Sequence, residues 1–136
     1  MPSLADVTGW VATGLVATAA SVPLGHRLLS GRRAALESRP ILSHVVIGIA
    51  ASAGAFVHTL SIIPELGTSA AIDAGMKALA PGALAFLLLV AHVGVGLQLR
   101  NPKLKQRPKT RRTHLVIATL IAIVVGAHVG VIVRAG

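Results

Sequence analysis

"HLVIATLIAIVVGAH", residues 114–128, decides how this chain folds. Thirteen apolar or small residues are closed at each end by a histidine. The whole run lies inside a longer apolar segment, Thr113 to Val133, close to the roughly 20 residues that cross a hydrocarbon core. Residues 44–58, "HVVIGIAASAGAFVH", repeat the arrangement with the same spacing inside a second such segment, Ile41 to Ile63. Two more segments of similar length run from Val7 to Leu29 and from Pro81 to Leu99. The chain therefore reads as all-α, an integral membrane four-helix up-and-down bundle forming a single domain over residues 1–136.

Composition agrees. A chain of 136 residues that is 54% hydrophobic and 12% charged belongs to the membrane class. The first span lacks the basic opening of a signal peptide, since Met1 to Thr8 holds Asp6 but no Lys or Arg. The absence of cysteine excludes disulfides, thiolate-bound iron–sulfur clusters and the C-x-x-C-H attachment of c-type haem. Any cofactor must be held by other ligands.

The net charge of +9 is informative through its location. Arg27, Arg32, Arg33 and Arg39 lie around the first connection, and Arg100, Lys103, Lys105, Arg107, Lys109, Arg111 and Arg112 around the third, which accounts for eleven of thirteen cations. The opposite face has only Lys77 and Arg134, beside Asp6, Glu65 and Asp73. This asymmetry predicts a multi-pass protein of the inner (cytoplasmic) membrane, with both basic loops cytoplasmic and both termini outside. Without aromatic interleaving or a recognisable motif, the basic runs do not read as nucleic-acid binding.

Proline punctuates the spans. Pro23 is predicted to kink or end the first helix, leaving His26 near the interface, while Pro40 starts the second helix and Pro64 interrupts it. Between spans 2 and 3, "ELGTSAAIDAGMKALAPG" reads either as a short interfacial helix capped by Thr68 or Ser69 and ending at Leu79, or as an irregular loop. Span 3 is predicted to start at Pro81.

A step of fourteen residues leads from one histidine of each pair to the other, which at 1.5 Å per residue is about 21 Å, or one histidine in each leaflet. Fourteen is also two heptads, so both stay on one seam in a left-handed bundle. Spans 2 and 4 run parallel, which brings His44 level with His114 and His58 level with His128. Two imidazoles on opposing helices offer two axial nitrogens on one line, as a six-coordinate haem iron requires. Small residues leave room nearby: Gly48, Ala51 and Ala55 on span 2, with Gly9, Ala12, Gly14 and Ala17, and Gly82, Ala85, Gly94 and Gly96, on the flanking spans. Span 4 offers Ala118 but also the bulkier Ile121 and Val125. The common offset of 70 residues between the pairs hints at a duplicated hairpin.

Competing readings remain. Intramembrane histidines also serve as hydrogen-bonded packing residues, and imidazole suits zinc, copper and nickel. A metal-ion or proton pathway would draw on carboxylates or a His-x3-His pair, and the spans contain neither. The alternative function is a non-haem small membrane protein, either a metal-ion transporter or a structural subunit. His92 reads as a packing residue, with replacement of an inner ligand, a propionate hydrogen bond or a quinone contact as its other roles.

Four helices with paired histidines on the second and fourth resemble the haem-bearing N-terminal helices of cytochrome b, and more loosely the cytochrome b561, superoxide-oxidase and ferric-reductase membrane domains. The likeness spans nearly the whole chain and rests on the two H-x13-H runs, helix order and glycine content. It implies two non-covalent b haems, the inner ligated by His44 and His114, the outer by His58 and His128. Arg39, Arg112 and Arg134 are placed to neutralise propionates. The expected partners are the lipid bilayer, a quinone, a redox protein and a second copy of the chain. The implied role is transmembrane electron transfer, as a subunit or a quinone-linked oxidoreductase. Nothing follows the fourth span and no flavin or nicotinamide module is attached, so the chain is expected to be a wire without its own terminals.

Overall fold

The computed structural model describes residues 3–67 and 76–135. It contains four α-helices: α1 Leu4–Ser30, α2 Arg39–Ile62, α3 Met76–Arg100 and α4 Arg107–Ala135, with a 3-10 turn Ile63–Glu65 closing α2. There is no strand among the described residues. All four helices are long and apolar enough to cross a membrane.

The distribution of side chains fits a lipid solvent. No polar or charged side chain is buried among the described residues, whereas Leu28, Val46, Leu87 and Leu115 are all exposed. Such apolar surface suits hydrocarbon and would associate in water. Hydroxyls within the helices turn back onto carbonyls four residues earlier: Thr18 to Gly14 at 2.7 Å, Ser52 to Gly48 at 2.8 Å and Thr119 to Leu115 at 3.1 Å. A hydroxyl in hydrocarbon needs such a partner, because water is not there to supply one.

Polar residues extend the helices beyond their apolar spans. α1 begins before Val7 because Ser3 and Asp6 form a capping box. The Asp6 amide donates to Ser3 Oγ at 3.1 Å and the Ser3 amide donates to the Asp6 carboxylate at 2.9 Å. At its other end Gly31 adopts φ 65° and donates to the Arg27 carbonyl at 3.0 Å, a left-handed cap that glycine takes without steric cost. The helix therefore runs through Pro23 and does not end there. A proline removes only its own amide bond, and the flanking turns keep theirs.

α3 starts at Met76, five residues before Pro81, so Met76 to Leu79 belong to the third long helix and not to a separate interfacial one. Thr68 and Ser69 lie outside the described residues. α4 starts six residues before Thr113, which makes much of the basic run helical. Arg107 secures that junction by donating to the carbonyls of Leu99 and Asn101, both at 2.8 Å.

The chain divides into two compact units at Ile62 and Ile63, one holding α1 and α2 and the other α3 and α4. Each is an antiparallel hairpin. In the first, Ala5 meets His58 and Ala19 meets His44; in the second, Gly82 meets His128 and Gly96 meets His114. Seven-residue spacing organises every helix. Ala5, Ala12 and Ala19 are the buried residues of α1, Ala51 is buried midway between His44 and His58, and Ile121 midway between His114 and His128. On α3, buried Leu89 stands midway between Gly82 and Gly96. The histidines thus occupy a continuous heptad seam on α2 and on α4.

Candidate functional site

The four paired histidines are all half-buried, and each meets the preceding helix of its own hairpin in a defined way. His44 donates Nδ1–H to the Ala19 carbonyl at 2.8 Å. A carbonyl only accepts, so this bond places the proton on Nδ1 and leaves Nε2 as the basic nitrogen of the neutral ring. An α-helix would normally bond that carbonyl to the amide four residues later. Here the residue four positions on is Pro23, which has no amide hydrogen. The imidazole takes the place of the missing donor, which gives the proline inside a membrane helix a physical purpose.

His58 is held at the opposite end of the same hairpin. Its Nδ1–H donates to the Ala5 carbonyl at 3.1 Å, again leaving Nε2 basic. Thr8 Oγ1 lies 3.4 Å from the same nitrogen and 3.1 Å from Ser61 Oγ. Thr8 donates to the Leu4 carbonyl at 2.8 Å and Ser61 to the His58 carbonyl at 2.7 Å, so both hydroxyls are satisfied beside the ring. Orientation of a ring through a carbonyl on Nδ1 is the usual outer-shell support for a metal-binding Nε2.

Glycine makes the close approach possible. A Cβ added to Gly9 would lie 3.0 Å from His58 Cε1, and one added to Gly82 would lie 2.9 Å from His128 Cε1. The remaining ring atoms repeat the match, with Nδ1 at 3.3 Å in the first hairpin and 3.2 Å in the second. One histidine-on-glycine seat thus occurs twice. Gly96 gives His114 a similar seat, with Cε1 3.2 Å from an added Cβ. Ala12 packs instead against Gly54, while Gly14, Gly48 and Gly94 meet nothing within 4 Å.

The hairpins differ at the basic-loop end. His92, read from sequence as a packing residue, stacks on His114 with ring centroids 3.7 Å apart and planes within 16°. Counting from the shared glycine seats, His92 occupies in α3 the position that Ala19 occupies in α1. The hydroxyl pair at His58 has no counterpart either, because Pro81 and Val131 stand where Thr8 and Ser61 would.

The secondary candidates lie at the periphery. His26 is half-exposed in the last turns of α1, Arg39 opens α2, and Arg112 and Arg134 are exposed near the two ends of α4. An open groove of about 350 Å³ on the second hairpin is lined by Ala80, Pro81, Leu84, Ile123, Val124 and Ala127. Those side chains have no donor or acceptor to fix a quinone headgroup.

His44 and His58 offer basic imidazole nitrogens in held rings, and His58, His114 and His128 sit on glycine surfaces where a side chain would crowd the ring, a donor set of the kind that ligates a metal or haem iron. The signals that sequence reading passed over were backbone atoms, the carbonyls of Ala5 and Ala19, with Pro23 as the one visible clue to the second.

Two expectations follow from this geometry. Gly82→Ala must move the His128 ring and is expected to destabilise the protein by about 1 to 3 kcal/mol. Gly14→Ala, at an open position, should be neutral or stabilising by up to about 1 kcal/mol. Thermal midpoints in detergent compare the two. Pro23→Ala restores an amide that competes for the Ala19 carbonyl. In histidine-labelled protein the His44 Nδ1–H signal should then exchange faster with solvent, while that of His58 stays as in the parent.

Comparison with protein-family models, with curated proteins and with solved structures finds no match to this chain.

Proposed function

We propose that this chain is a b-type di-haem membrane cytochrome that passes electrons across the bilayer. The observation carrying the proposal is the pair of Nδ1–H bonds, His44 to Ala19 and His58 to Ala5, which hold two imidazoles about 21 Å apart on one helix with Nε2 basic in each. The repeated histidine-on-glycine seat at His58 and His128 supports the same role for the second hairpin.

In this reading His44 and His114 hold one haem and His58 and His128 the other. Bound haem supplies one-electron ferric/ferrous chemistry. The protein's own part is to fix the rings, exclude water with an apolar surround, and set the separation between the two sites through the two-heptad spacing. Arg39, Arg112 and Arg134 stand at helix ends where a guanidinium can neutralise a propionate. The loop charges favour both basic loops on the cytoplasmic face of the inner membrane. In this reading the chain links a quinol or quinone, or a redox protein, on opposite faces and serves as an electron-transfer subunit.

His92, which lies against His114, is the alternative to His44 as the inner ligand, and its ring would have to turn out of the present stack for both to aim a nitrogen at one iron. A non-haem metal-ion transporter is less well supported, because no carboxylate lies in a span apart from Asp6, which is engaged in the α1 cap.

Haem-replete expression and dithionite-reduced visible spectra test the assignment. His58→Ala and His128→Ala should each remove the same haem and leave the other, and His44→Ala and His114→Ala should remove the remaining one. Loss of that haem in His92→Ala, with His44→Ala harmless, would exchange the ligand. A colourless parent protein would end the cytochrome reading.

A further inference from the structure

The turn between α3 and α4 has an electrostatic character that orientation alone does not require. From Gln98 to Thr113 there are seven cations and no acidic residue. The structure divides the seven into two kinds. Arg107 is half-buried and spends its guanidinium on the carbonyls of Leu99 and Asn101. Asn101 organises the rest of the turn, its side chain accepting from the Lys103 amide at 3.0 Å and its carbonyl from the Leu104 amide at 3.2 Å. The other six, Arg100, Lys103, Lys105, Lys109, Arg111 and Arg112, are exposed.

A hydrogen-bonded turn thus presents six cations at once, and part of that charge sits on the first turns of α4. Cations there face the positive end of the helix dipole and repel one another, so an external anion gathered among them is stabilised. The shape of the group indicates which anion. Residues 107 to 112 rise by about 7.5 Å along the helix, comparable with the roughly 5 to 8 Å of one headgroup layer. At 100° per residue, Lys109 and Arg111 leave the helix about 160° apart, with Arg112 between them. A soluble acidic protein reaches one side of such a helix. Lipid phosphates packed around it reach both.

We propose that the α3–α4 turn is a binding surface for anionic phospholipid headgroups, which it gathers around the base of α4. This is independent of haem, and it concerns phosphodiester headgroups carrying a net negative charge, not zwitterionic ones.

The test uses the full chain in nanodiscs of phosphatidylcholine, alone or mixed with phosphatidylglycerol, at low and high salt. Phosphatidylglycerol should raise the thermal midpoint of the parent protein, and high salt should diminish the rise. The fourfold variant Lys103→Gln, Lys105→Gln, Lys109→Gln, Arg111→Gln should lose about two-thirds of the rise, in proportion to the exposed cations removed. Exchanging the three lysines for arginine should preserve it. An equal rise in the glutamine variant would overturn the proposal, as would no rise in the parent. Stabilisation of the parent in phosphatidylcholine alone by soluble polyglutamate, matching that given by phosphatidylglycerol, would also overturn it. Should the glutamine variant fail to fold, phospholipid co-purified with the parent decides the matter. Enrichment of anionic over zwitterionic lipid is expected, and its absence is contrary.

Discussion

An imidazole held within a membrane helix pair carries an N–H that needs an acceptor, and the seats of both histidines in the first hairpin answer that need. Ordinary helical carbonyls are already bonded along their own helix. Two answers are found. At Ala19 the intrahelical donor is missing because Pro23 lacks an amide hydrogen, and His44 supplies the bond at 2.8 Å. At Ala5 the carbonyl accepts from the His58 ring and from the Thr8 hydroxyl, both at 3.1 Å, while remaining part of its helix. Each bond also sets a tautomer, so a requirement of folding in lipid becomes a chemical property, a basic Nε2 on each ring.

Such bonds require the helices to lie close, and small residues permit it. Gly9 and Gly82 each leave space that the ring of His58 or His128 fills. The seven-residue spacing of Ala5, Ala12 and Ala19, of His44, Ala51 and His58, and of His114, Ile121 and His128 keeps those contacts on one seam of each helix. The two hairpins share the seat and differ around it. Hydroxyls of Thr8 and Ser61 surround His58, and a second imidazole lies on His114. The two hairpins thus place their histidines in alike seats with different surroundings.

Hydropathy located all four helices because a hydrocarbon core imposes both length and apolarity, a constraint stronger than any local propensity. It missed their polar ends. The Ser3–Asp6 box and the basic opening of α4 are helical through capping and hydrogen bonding, which an apolar window discounts. The histidine spacing was legible as two heptads. The partners of the rings were not, since a backbone carbonyl has no letter in the sequence. Pro23 read as a break, when its effect is to free one carbonyl. Gly9 and Gly82 stood among the small residues of their spans but could not be told from Gly14 and Gly94, which meet nothing. Which face a glycine presents depends on the neighbouring helix.

The central claim is that imidazole nitrogen supplies both axial ligands of each haem. Electron paramagnetic resonance of the oxidised, haem-replete protein, combined with a haem count per chain, addresses it most directly. Two haems per chain with low-spin ferric signals of bis-imidazole character are predicted. A high-spin signal from a haem with one open axial position, or no haem bound at all, would contradict the account.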